Sequence, residues 1–151
     1  MKKLLLILSM VAATVSAQPL PNASFTPGLA DPKLTKEVIC DKSFRTTSIR
    51  NVPDSVKKQV YKNYNVVNHD GICAGTQGCE VDHLISLELG GSNDIKNLWP
   101  EPYMGPWNAH QKDQLENKLH SMVCTGKITL SQAQYEIATD WISAYRKYIT
   151  K

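Results

Sequence analysis

Residues 79–103 read CEVDHLISLELGGSNDIKNLWPEPY, and this stretch decides the fold. Residues 80–89 place apolar side chains at Ile85, Leu87 and Leu89, the period of a half-buried strand. Gly90-Gly91-Ser92-Asn93-Asp94 is turn chemistry. Asn97-Leu98-Trp99 predicts a short second strand, and Pro100 to Pro106 a loop. Residues 108–124 then follow a helical period, with Leu115, Leu119, Met122 and Val123 on one face and Gly126 as the stop. The order is strand, glycine-rich turn, short strand, loop, helix. It predicts an α+β domain: a two-stranded hairpin at about 81–99, backed by the helix.

Working outward, PDSVKKQVYKNY (53–64) predicts a short amphipathic helix, with Val56, Val60 and Tyr64 on one face and Pro53 suited to its first turn. Residues 65–79 read as loop. QPLPNASFTPGLADPKLTK (18–36) holds four of the eight prolines and reads as an extended arm or linker rather than core. On the other side, Thr129-x-x-Gln132 is a capping-box pattern opening a last helix that buries Ala133, Ile137, Trp141 and Tyr145.

The first residues are set apart. Met1-Lys2-Lys3 is cationic, Leu4 to Val15 is apolar, and Val15-Ser16-Ala17 is a small-x-small site. This is the layout of a secretory signal peptide over 1–17, and the run is shorter than the roughly 20 residues a spanning helix needs. The expectation is an exported chain, periplasmic or secreted, with no stable membrane association after cleavage. The domain would span 37–151 behind the arm, with a monomer favoured. Charge discriminates little. The chain has 17 Lys+Arg against 14 Asp+Glu, and without Lys2 and Lys3 the balance is 15 to 14. That neither supports nor excludes a nucleic-acid partner. Lys42, Arg45, Arg50, Lys57, Lys58 and Lys62 could form a basic patch or an ordinary solvated face.

The cysteines are Cys40, Cys73, Cys79 and Cys124. In an exported chain an even count reads as disulfides. The favoured pairing is Cys73–Cys79, closing a local loop, with Cys40–Cys124 as a long-range staple. A four-thiolate zinc site is the rival, but it wants two close pairs two to four residues apart, and the one close pair here is wider.

With these residues assembled, residues 79–103 resemble the HNH endonuclease signature, whose core is D-H-I-x-P-x-x-x-G-G followed by N-L. More narrowly, the chain resembles small exported bacterial HNH-type proteins with a DHL-x-x-LELGG…NLWPEP run. The match continues through Lys112-Asp113-Gln114-Leu115-Glu116, Val123-Cys124-Thr125-Gly126, and the Ala133-Gln134 to Trp141 helix, about residues 38–145 in all. In that group the positions of Cys40 and Cys124 recur together. The resemblance implies a ββα-metal core and a phosphodiester hydrolase acting on nucleic acid, DNA ahead of RNA. It implies that Asp82 binds a divalent cation, that His83 is the general base, and that Asn97 braces the loop carrying the histidine.

The chemistry supports those roles. A histidine can take a proton from water near neutral pH, and an oxygen-ligated cation can neutralise charge developing on a phosphate. Mg2+ is the expected ion, with Mn2+ or Zn2+ as alternatives. Asp82 and His83 are adjacent, so on a regular strand they face opposite ways; the strand is therefore expected to be irregular there, or the second strand to fold over it. The helix ligand is Asn108 or His110. They lie two apart and point differently, so one is expected to bind. Asn108 is preferred because Lys112 follows four residues on and Glu116 two turns on, and these two are expected just behind the ion. Trp99 and Trp107 are open to a base-stacking or a core reading, while Trp141 reads as core. His69 and His120 read as surface residues, and Glu101 and Asp113 as solvated or salt-bridged. The reading from another class is a disulfide-stapled binding module that keeps this fold without turnover.

Overall fold

The computed structural model describes residues 20–66 and 78–150. Its elements are α1 (Lys36–Ile39), α2 (Asp54–Asn63), β1 (Cys79–His83), β2 (Leu98–Pro102), α3 (Ala109–Cys124) and α4 (Leu130–Tyr148). This is a mixed α/β arrangement with one antiparallel two-stranded sheet. The register pairs Cys79 with Pro102, Val81 with Pro100, Asp82 with Trp99 and His83 with Leu98.

β1 stops at His83, well short of residue 89. Leu84 and Ile85 are consecutive and both buried, at 1% and 5% exposure, which a strand with one covered face cannot achieve. Residues 84–86 instead leave the ladder, and Leu87–Leu89 form a 3-10 turn whose leucines also enter the core. The apolar spacing of 85, 87 and 89 thus belongs to a buried loop. β2 runs on to Pro102, where a loop was expected. In a two-stranded sheet both strands are edges, so prolines lacking an N–H are tolerated at 100 and 102.

α3 begins at Ala109, one residue after the expected start, and Asn108, expected as a ligand, is its N-cap. The Asn108 side chain accepts from the His110 N–H, and the Gln111 side chain reaches back to the Asn108 N–H. Leu115, Leu119 and Val123 are fully buried against Ala133, Ile137 and Trp141 of α4. α4 is capped by Thr129, which accepts from the Gln132 N–H. It breaks at Asp140 (φ −161°, ψ 90°), whose carboxylate accepts from the Ile142 and Ser143 N–H groups and restarts the helix. A strong N-cap residue placed mid-pattern was overlooked in reading one continuous helix. Cys40 and Cys124 form the expected disulfide, joining the end of α1 to the end of α3. The Cys73–Cys79 pairing involves residue 73, which lies outside the described residues, as do His69 and the proposed signal peptide.

The proline-rich arm is extended but docked. Thr26 is 1% exposed and its hydroxyl donates to the Leu98 carbonyl at 2.8 Å. Ala30 bridges Gly91, and the Asp31 N–H donates to the Gly90 carbonyl. Backbone groups of β2 and of the glycine turn would otherwise lack partners, and the arm supplies them.

Candidate functional site

The loop between the strands is organised by one side chain. Asn97 is fully buried. Its Oδ1 accepts from the N–H groups of Ile85 (2.9 Å) and Leu29 (3.2 Å), and its Nδ2 donates to the carbonyls of Ile85 and Ser92 (both 2.9 Å). Four hydrogen bonds fix the turn from both ends, the structural role expected of this residue. Gly91 makes that approach feasible, since a Cβ there would lie 1.7 Å from the Ile85 carbonyl oxygen and 2.9 Å from Asn97 Nδ2. Gly90 adopts φ +75°, in the left-handed region open to glycine.

His83 stands at the end of β1, 3% exposed. Its Nε2 lies 3.0 Å from Asn93 Oδ1. The Asn93 Nδ2 donates to the Ile49 carbonyl at 2.8 Å, which fixes the amide orientation and makes Oδ1 an acceptor toward the ring. The proton of a neutral His83 therefore sits on Nε2, leaving Nδ1 with a free lone pair, 3.8 Å from Asp82 Oδ1. The ladder register runs unbroken through both residues, so no irregularity brings them together; they converge because the strand ends at His83.

Lys112 lies at the centre of the charged cluster. It is fully buried, and its Nζ donates to Asp82 Oδ2 (3.0 Å), to the His83 carbonyl (2.8 Å) and to Glu116 Oε1. Glu101 Oε2 is 3.5 Å away. Burial alone would raise the Asp82 carboxyl, but the Lys112 ammonium and the hydrogen bonds around it hold it well below the usual range. Glu101 is raised well above that range by burial, with Lys112 opposing and the Asp82 charge reinforcing the rise. Its Oε1 is buried without a hydrogen bond, a lesser cost for a neutral carboxyl than for an anion. Burial likewise pushes Glu116 up to about 8, against Lys112 and together with Asp82. One lysine among three carboxyls leaves an excess of negative groups, and protonation relieves it.

Two clefts flank His83. One, of about 150 Å³, is lined by Thr46, Arg50, Asp82, His83, Glu88 and Glu116, among others. The other holds Arg50, Lys57, Tyr61, Glu80 and His83. Arg50 thus borders both. The structure brings together Asp82, His83, Lys112 and Glu116 as expected, and adds Glu101, Asn93 and Arg50.

Of the two helix candidates, Asn108 serves elsewhere. The Asn108 side chain is committed to the α3 cap, accepting from His110 and donating to the Gly105 carbonyl at 2.9 Å. His110 is exposed. Among the described residues, the His, Cys, Asp and Glu groups with three ligand atoms within 4.8 Å of one another reduce to Cys40, His120 and Cys124, whose sulfurs form the disulfide. The donors around Asp82, with an ammonium already seated on the carboxylate, do not fit a divalent cation.

Other aromatic and charged positions resolve plainly. Trp99 is 1% exposed and is core, as is Trp141. Trp107 packs edge-on against Trp141 and Tyr145, with the Arg146 guanidinium 5.1 Å above its ring. His120 is half-buried rather than a surface residue, donating from Nε2 to the Ile39 carbonyl at 3.0 Å beside the disulfide. In Glu101 the overlooked signal was a carboxylate between two prolines directly after a tryptophan, an unusual place for a solvated residue. Compared with known proteins, the chain matches no family model, no curated protein and no solved structure.

Proposed function

We propose that the chain is an exported phosphodiester hydrolase acting on nucleic acid, with His83 as the general base. The observation that carries the reading is the fixed His83 ring. Asn93 holds Nε2 in its protonated form, and Nδ1 keeps a lone pair beside Asp82 at a cleft bordered by Arg50. Nδ1 takes a proton from water as the water oxygen attacks phosphorus. The P–O bond to the leaving nucleoside breaks, and its oxygen takes a proton from solvent. Arg50 offers a planar donor fork to the phosphate oxygens. The imidazolium formed at His83 is stabilised by the Asp82 carboxylate 3.8 Å away. The disulfide suits an oxidising compartment, in keeping with export. The test is plasmid and single-strand cleavage by the purified chain, followed by gel and repeated with His83→Ala. Cleavage that disappears in a folded His83→Ala protein supports the proposal, and equal cleavage by both proteins rejects it. A wild-type protein that binds nucleic acid but never cuts it points to the binding module.

A further inference from the structure

We propose that the Lys112 ammonium is the resident cation of the Asp82 pocket, and that the protein takes no divalent ion there. The proposal deepens the hydrolase reading and rests on it for its catalytic consequence, though not for its binding consequence.

The geometry of the ammonium is the first argument. Its three N–H bonds match the three acceptors in reach: Asp82 Oδ2, the His83 carbonyl and Glu116 Oε1. Glu101 closes the remaining side at 3.5 Å. A small divalent ion would need oxygen ligands at roughly 2.0–2.6 Å, and an ion on Asp82 would share its carboxylate with Lys112, which already holds Oδ2. The ion would then sit on the same carboxylate as a fully buried positive charge, and the repulsion is poorly screened away from water.

The second argument is that Lys112 has nowhere else to go. It is 0% exposed and sits on α3 between Ala109 and Leu115, themselves 4% and 0% exposed. Pulling the ammonium off its carboxylates would strand it in the core, the costly half of breaking a buried pair. The third is the donor set as the ammonium spaces it. Asn108 is spent on the helix cap, and with Lys112 between the carboxylates no three of Asp82, His83, Glu101 and Glu116 bring ligand atoms within 4.8 Å of one another. The lysine therefore neutralises Asp82 from behind, and countercharge to a bound phosphate falls to Arg50 at the mouth of the cleft.

The experiment titrates the full, oxidised chain with Mn2+ and follows the free-ion signal by electron paramagnetic resonance. The wild type is expected to deplete no stoichiometric Mn2+. Lys112→Ser, which leaves the carboxylates without their ammonium, is expected to gain a one-to-one site at least about tenfold tighter than any wild-type binding, lost again on adding Asp82→Asn. Should Lys112→Ser not fold, the wild-type titration still decides. One-to-one binding by the wild type, abolished by Asp82→Asn, overturns the proposal. Cleavage run in parallel separates the two readings. Equal rates in EDTA and in Mg2+ support the resident lysine. Cleavage abolished by EDTA and restored by Mn2+ at the concentration that fills the site refutes it while keeping the hydrolase. No cleavage in either buffer removes the hydrolase and leaves the titration to judge the lysine.

Discussion

The Asn93 amide holds the His83 ring in one tautomer: Oδ1 lies 3.0 Å from Nε2, while Nδ2 is tied to the Ile49 carbonyl at 2.8 Å. Asn93 is thus a positioning residue for the proposed base. His83→Ala is expected to lower cleavage by about 10²–10⁴-fold with the fold intact. Asn93→Ala should cost about 10–100-fold by freeing the tautomer and the ring. The measurement that separates this from a loss of folding is the pH–rate profile: its acid limb should move in Asn93→Ala, whereas a purely structural defect scales the whole curve.

Asn97 should be among the least replaceable residues for stability. Asn97→Ala leaves the Ile85 N–H and carbonyl without their partner inside the protein. The expected loss is roughly 3 kcal/mol, the scale of a buried polar group left unmade. Asn97→Asp should be at least as damaging, because it turns an acceptor toward the Ile85 and Ser92 carbonyls. Urea unfolding checks both, and a change in Asn97→Ala below about 1 kcal/mol would contradict the bracing role.

Stability should fall as pH rises through neutrality. Glu116 ionises near 4.5 when unfolded but holds its proton to about 8 when folded. Between those values the folded state binds more protons than the unfolded state, so this contribution is complete below 4.5 and lost by about 8. Glu101 acts in the same direction. Asp82 acts oppositely: its contribution is present above its ordinary range and is lost in acid. Glu116→Gln should flatten the decline in urea midpoint between about pH 5 and 8. An unchanged slope would show that Glu116 is ionised throughout.

The staple joins residues 84 apart. Replacing Cys40 and Cys124 together with serine should cost about 4–5 kcal/mol in the chain-entropy model. The comparison is between the variant and the oxidised wild type in urea, with reduced wild type expected to track the variant. A difference below about 1 kcal/mol would mean that the unfolded chain is already compact there.

How much of this was legible in the sequence depends on the range over which each feature is decided. The α3 start near Asn108 and the Thr129 cap are written within four residues and were read correctly. The staple was chosen among three pairings, and the structure holds it. Asn97 was placed by resemblance, and its hydrogen bonds fit the bracing role. The over-long first strand came from a true alternation whose intervening residues were also buried, at Leu84 and Ser86. Lys112 was expected behind an ion, not as the centre of the cluster. Its burial depends on Asp82, thirty positions away, and on Glu101 from the opposite strand, partners that no local period reveals. The docked arm was missed for the same reason, because Thr26 meets Leu98 across 72 positions.

That wide reach has a consequence for the order of events as the chain is made. The Leu29 N–H caps Asn97, Lys112 ties Asp82 to Glu116, and the Gln134 side chain donates to the Leu89 carbonyl. The loop between β1 and β2 thus draws on the docked arm and on α4. A nascent chain emerging from the ribosome holds Asp82 and His83 long before it holds Gln134. Until then the loop lacks its final clamp and the histidine its settled surroundings. The high sequence separation of these contacts slows assembly and defers it until Gln134 is present. Under the proposed hydrolase reading, a newborn chain is thereby inert toward nucleic acid until Gln134 has been added.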